Sequence, residues 1–323
     1  GRWWIPYRPI DKPATIASVM YVNGGGPSTI PAAVRAVYES SNTVGVFGSE
    51  AIASFAVSDA TLTYSYRYVS AIEHHENKDL MLQPAPSVAN DFLLRPRDDA
   101  QSSALPYAIY PDWQTSEMAR ANITVKNDTI ELSKAFRTVG IVRGSEGSGI
   151  SSKCSNATYA IVIDDIALAT PRESTEYTWR AMLATDLSGA NASFLGADCI
   201  LTDSLPPEAL NINRASSASG ARLLLRQLRP ASDMKWSLTT VFASHDGKSY
   251  PVDSVDAKMT ASIGNFVTLL FPLRPGEDLP KTSWSDDGTL LSIKTASGCR
   301  DALKFAKIDG EPFERVEVNR VER

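Results

Sequence analysis

The sequence predicts an all-β protein: two packed antiparallel sheets in a β-sandwich, with one short helix and an extended N-terminal arm. Three observations predict it. Apolar and polar residues alternate with a period of two over most of the chain. Gly, Pro, Asn or Asp cut that alternation about every 8 to 15 residues, as in antiparallel strands rather than strand–helix–strand units. No segment repeats at a fixed period, so a solenoid or propeller is not favoured. With 323 residues, 43% of them apolar and 21% charged, the chain is long enough to bury a sizeable core.

Residues 1–13 hold three prolines and the aromatics Trp3, Trp4 and Tyr7, a mixture that is extended and cannot join a central strand. Apolar rings on a Pro-stiffened arm are costly to leave in water, so this arm is expected to dock on a partner copy or on its own sandwich. The loop Gly24-Gly25-Gly26 lacks the Lys-Ser/Thr of a phosphate-binding loop and reads as a turn. Pro31 to Ser40 gives the best helix signal, with Pro31 suited to a first turn. In the next strand candidate, Thr61 to Ser70, Tyr64, Tyr66 and Tyr68 share one face as a ladder with a step of about 6.7 Å, suited to sugar stacking, a subunit contact or packing on a partner sheet. Five prolines between Gln83 and Trp113 then separate an N-terminal β region, residues 14–115, from a sandwich spanning 116–323.

Within the second region, strands are expected at Thr129 to Leu132, Lys134 to Arg143, Tyr159 to Ala169, Glu176 to Thr185, Arg222 to Leu228, Trp236 to Ala243, Asn265 to Pro272 and Thr289 to Thr295. Asp246-Gly247 and Asp287-Gly288 supply the positive φ of tight hairpins between neighbouring strands.

No apolar run approaches the roughly 18 residues of a membrane span, and a net charge of -5 without a long basic stripe argues against nucleic acid as a partner. Cys154, Cys199 and Cys299 lack zinc-site spacing; one bridge and one remaining thiol are allowed, with the pairing open. No metal or cofactor is indicated. Asn-x-Ser/Thr sequons at Asn122, Asn127, Asn156 and Asn191, with a Ser/Thr-rich texture, point to an extracellular or cell-surface glycoprotein.

Abstraction of a proton beside a uronate carboxylate requires a Tyr or His base and a group that neutralises the carboxylate. His74, His75, Tyr107, Tyr110, Arg95 and Arg97 supply those types within one stretch, but the adjacent histidines diverge on a strand. Asp164 and Asp165 also diverge, which favours pairing with Arg143 or Arg180 over shared acid and base work. Arg222, Arg226 and Arg229 form either an anionic-polysaccharide patch or solvated edge charges.

From Lys134 the text becomes more specific: the strand Lys134-Ala-Phe-Arg-Thr-Val-Gly-Ile-Val-Arg, then Tyr159-Ala-Ile-Val-Ile-Asp-Asp-Ile, then Tyr177-Thr-Trp-Arg, with Phe271-Pro-Leu-Arg-Pro-Gly-Glu and Trp284-Ser-Asp-Asp-Gly-Thr-Leu closing the block. This resembles the β-sandwich domain of heparinase II/III-type polysaccharide lyases over about residues 130–310. The resemblance implies a shared sheet architecture. That family also carries a helical toroid and an early His-rich motif, for which this sequence has no counterpart beyond Glu73-His74-His75-Glu76. The reading is therefore a secreted or surface-exposed sandwich with a structural, self-assembling or carbohydrate-binding role; the alternative is a polysaccharide lyase, or the sandwich part of one, using His74, His75 and Tyr110.

Overall fold

The computed structural model describes residues 20–23, 42–48, 52–61, 68–70, 93–96, 107–110, 123–125, 132–144, 154, 157–183, 191–202, 221–230, 234–245 and 248–321. The arm 1–13 and the expected helix 31–40 lie outside them. Strands supply almost all the regular structure: β1 (Met20–Val22), β2 (Asn42–Phe47), β3 (Ala53–Asp59), β4 (Tyr68–Ser70), β5 (Leu93–Pro96), β6 (Tyr107–Tyr110) and β7 (Ile123–Val125) come first. The longer β8 (Leu132–Val142), β9 (Tyr159–Leu168), β10 (Thr175–Met182), β11 (Asn191–Leu195), β12 (Asp198–Thr202) and β13 (Arg222–Arg229) follow. The chain ends with β14 (Lys235–His245), β15 (Lys248–Ala261), β16 (Ile263–Leu273), β17 (Lys281–Trp284), β18 (Leu290–Lys294), β19 (Arg300–Lys307) and β20 (Glu314–Val321).

Three antiparallel sheets carry the architecture. The central one has eight strands in the order β11-β12-β13-β16-β9-β8-β3-β2; the other two are four-stranded, β1-β10-β15-β14 and β17-β18-β19-β20. Two ribbons, β4-β7 and β5-β6, complete the described strands. Thus β1, β2 and β3 hydrogen-bond into the sheets that the second half of the chain builds.

The middle strands of the central sheet, β13 and β16, are buried on both faces, so they read as near-continuous apolar runs. In β13, Leu223 and Leu225 pack with Trp179, Val255 and Ala257 of the β1-β10-β15-β14 sheet, whereas Leu224 and Leu228 pack with Leu291, Ile293, Leu303 and Phe305 of the last sheet. β16 divides the same way, Phe266 toward the first partner and Val267, Leu269 and Phe271 toward the second. Two sandwiches therefore share one middle layer. Two glycines make room for neighbouring rings: a Cβ on Gly140 would lie 2.1 Å from Cε1 of Phe55, its cross-strand partner in the same sheet, and one on Gly264 would lie 2.6 Å from Cδ1 of Tyr177 in the facing sheet.

A register shift between Gln227 and Arg229 brings Arg229 to the last sheet, where its guanidinium lies 4.8 Å from the Trp284 ring centroid and pairs with Glu314 at 3.0 Å. Arg320 and Asp301, each with a side chain only 1% exposed, form the most deeply buried ion pair among the described residues. Tyr159 donates to Asp301 Oδ2 at 2.9 Å, and Arg320 donates to the Arg143 carbonyl at 2.7 Å. Every strong group in that cluster has a partner, which is the condition for tolerating charge in a core.

Candidate functional site

In the last sheet, alternation sends Leu291, Ile293, Leu303, Phe305 and Val316 inward, so the opposite parity faces solvent. The outward residues include Lys281 and Ser283 on β17, Ser292 and Lys294 on β18, and Arg300 on β19. Lys281 is the cross-strand partner of Lys294, and Lys294 of Arg300, so three cations form a row across three strands about 4.8 Å apart. With Thr282, Ser283, Ser292 and Gly298 they line a cavity of about 330 Å³.

Like charges directly opposite one another destabilise a sheet. Elsewhere six arginines are neutralised: Arg137 pairs with Asp164, Arg180 with Asp256, Arg226 with Asp198, Arg229 with Glu314, Arg315 with Glu311 and Arg320 with Asp301. Lys281, Lys294 and Arg300 have no carboxylate partner among the described residues.

The row is also rigidly held. Arg300 follows Cys299, which is disulfide-bonded to Cys154, and precedes the buried Asp301. The turn between Lys294 and Arg300 is closed by Thr295 N–H to Cys299 O at 2.9 Å, with Gly298 at φ 90°, where a side chain would be strained. Arg300 Nε donates to Ser292 Oγ at 3.1 Å. That bond fixes the guanidinium while leaving the Nη hydrogens and the Ser292 hydroxyl hydrogen for a ligand. The chemistry offered is that of a fixed fork, two ammonium groups and several hydroxyls: recognition of oxyanions.

Of the residues singled out in the sequence, Asn191 opens β11 and is exposed. Tyr68 opens β4 and Tyr110 ends β6. Trp3, Trp4, Tyr7, Tyr64, Tyr66, His74, His75, Asn122, Asn127 and Asn156 lie outside the described residues. Asp164 and Asp165 do diverge, but their partners are Arg137 at 2.6 Å, directly opposite Asp164 in the register of β8 on β9, and Lys134 at 2.6 Å, which is opposite Ala167 and reaches Asp165 diagonally; Arg143 donates instead to Ser54, and Arg180 to Asp256. The arginines at 222, 226 and 229 do not form an anion patch: Arg226 is bidentate to Asp198, Arg229 is held by Glu314, and Arg222 donates to the Glu277 carbonyl. Burial pushes the Cys199 thiol up to about 12, and burial beside Asp301 pushes the Tyr159 hydroxyl well above its usual value, so both groups stay protonated in the core.

No protein-family model and no curated protein matches the chain. Among solved structures the chain is similar to the heparan sulfate lyase HepC from Pedobacter heparinus, at 15% identity and a TM-score of 0.36, over 56% of this chain and 25% of that one. A heparinase III gene product matches at 11% identity and a TM-score of 0.35, covering 57% and 25%, and a further heparinase III at 12% and 0.32, covering 60% and 24%. The chain spans about a quarter of the length of these lyases.

Proposed function

We propose that this chain is a carbohydrate-binding β-sandwich that holds an anionic polysaccharide on the outer face of its last sheet. The single observation that carries the reading is the row Lys281–Lys294–Arg300: three adjacent cations without carboxylate partners among the described residues, lining one groove, on a protein in which Arg137, Arg180, Arg226, Arg229, Arg315 and Arg320 each pair with an acid. An extended polyanion supplies the missing countercharge along a line, as a compact anion does not. The place of action is outside the reducing cytoplasm, a reading supported by the Cys154–Cys299 bridge and by the exposed sequon at Asn191, whose glycan would stand on β11, in another sheet from the groove. Self-association through the arm at Trp3, Trp4 and Tyr7 is part of the same proposal and is tested by light scattering after deletion of residues 1–13, which should lower the particle mass.

The test of binding is calorimetric titration of the whole chain with dextran sulfate, polygalacturonate and neutral dextran at low salt. Binding of the two acidic polymers and not of neutral dextran is expected. Equal binding of neutral dextran, or no binding of either acidic polymer, overturns the reading.

A further inference from the structure

The three cations lie on different strands but at one height along them, because the two hairpin turns fix the register at Lys281 opposite Lys294 and Lys294 opposite Arg300. A line through them runs perpendicular to the strands, and the outer pair, Lys281 and Arg300, are two strand spacings apart, about 9.6 Å at the backbone. One strand spacing is close to the rise of one sugar in an extended 1→4-linked chain, and two spacings to a disaccharide. Resting on the binding reading above, we infer that the glycan lies across the strands rather than along them, with the anionic groups of alternate sugars, which the turn of such a chain brings to one side, meeting Lys281 and Arg300 while Lys294 meets the sugar between them. The ligand is a linear 1→4-linked glycan whose anionic groups recur on the side turned to the sheet.

Two features of the groove agree with this direction. Along the strands the next outward positions from Lys281 and Lys294 are Ser283 and Ser292, neutral residues that cannot continue a cationic track. At the Arg300 end, the guanidinium is already oriented by Ser292 Oγ, so it meets its anion with little further ordering. Arg300 is the specificity-determining contact of the row, since its planar fork takes two oxygens of one carboxylate or sulfate, whereas the lysines act as point charges.

The experiment moves a charge without removing it. In the double substitution Lys281→Ser with Ser283→Lys, net charge and groove are kept, but one cation shifts about 6.7 Å along β17 and out of the row. Both positions are exposed on an edge strand, so the fold tolerates the exchange. Titrated with 1→4-linked oligogalacturonates of two to six sugars, the unaltered chain should gain affinity up to three sugars and then level off. The double variant should bind the trimer about ten-fold more weakly, as should Lys281→Ser alone, the loss of one charge-assisted contact. Sulfated oligomers of the same lengths distinguish sulfate from carboxylate as the preferred group. If the double variant binds the trimer as tightly as the unaltered chain while Lys281→Ser does not, charge alone matters and the cross-strand direction is overturned. If the unaltered chain binds no member of either series, the failure lies in the binding reading itself.

Discussion

Replacing Cys154 and Cys299 together by alanine removes a bridge between residues 145 apart in sequence. In the chain-entropy description, a closed loop of that length restricts the unfolded state by about 5 kcal/mol at 25 °C, near the upper end of what a disulfide contributes. The native cluster offsets little of the loss, because Cys154, Ala157 and Cys299 form a small satellite core of their own. The bridge also ties Cys154 to the residue before β19, beside the buried Arg320–Asp301 pair and next to Arg300. The double variant should therefore unfold at markedly lower urea concentration, and polyanion affinity at 25 °C should weaken as Arg300 loses its fixed backbone. The assay is paired urea denaturation by far-ultraviolet circular dichroism, with thiol alkylation in denaturant before and after reduction. One alkylated thiol before reduction and three after are expected. Three before reduction, or destabilisation below about 1 kcal/mol, would refute the reasoning.

Asp301→Asn should cost about 3–5 kcal/mol, since it leaves Arg320 buried at 1% exposure without its counter-charge; urea midpoints measure it. Gly140→Ala places a Cβ 2.1 Å from Phe55 Cε1 and should cost about 1–3 kcal/mol through overpacking, seen as a lower Tm. Because the folded Tyr159 hydroxyl titrates above its ordinary 10.0, both states keep the proton below that pH, and only the unfolded chain releases it just above. Stability should thus be flat with respect to this group below pH 10 and fall above it, with a shallower fall in Tyr159→Phe. Cys199, pushed up to about 12, should resist iodoacetamide at pH 8 in the folded protein and react promptly in denaturant.

The apolar strands were legible in the sequence because two-sided burial writes itself as dense apolar text. Tyr159 to Ala169, Asn265 to Pro272 and Arg222 to Leu228 match β9, β16 and β13 within a few residues. What alternation does not reveal is how many layers stack: Leu224 and Leu225 look alike in sequence yet face different partner sheets. β15 was missed because Ser254 and Asp256, on the face opposite the core residues Val255 and Ala257, are buried polar groups, bonded to the Thr239 carbonyl and to Arg180. The Asp287-Gly288 turn was read from the text, and Trp284 does pair with Leu291 across it. The cysteine pairing was not, since a separation of 145 residues carries no spacing signal. The groove left a faint trace in Lys281-x-Ser283 and Ser292-x-Lys294, but only the registers fixed by two successive hairpins set Lys281, Lys294 and Arg300 side by side. Arg222, Arg226 and Arg229 were better candidates by sequence, and their acceptors lie on other strands or in a loop beyond β16.

The central claim is that Lys281, Lys294 and Arg300 together supply the anion-binding surface. The salt dependence of dextran sulfate affinity tests it most directly, because each cation that neutralises a polyanion charge releases condensed counterions and adds about one to the slope of log K against log salt. The unaltered chain should give a slope magnitude of about three, and the triple variant Lys281→Ser, Lys294→Ser, Arg300→Ser, folded by circular dichroism, should give a slope near zero with binding lost at moderate salt. An unchanged slope and affinity in the triple variant would place the polyanion elsewhere on the protein and contradict the account.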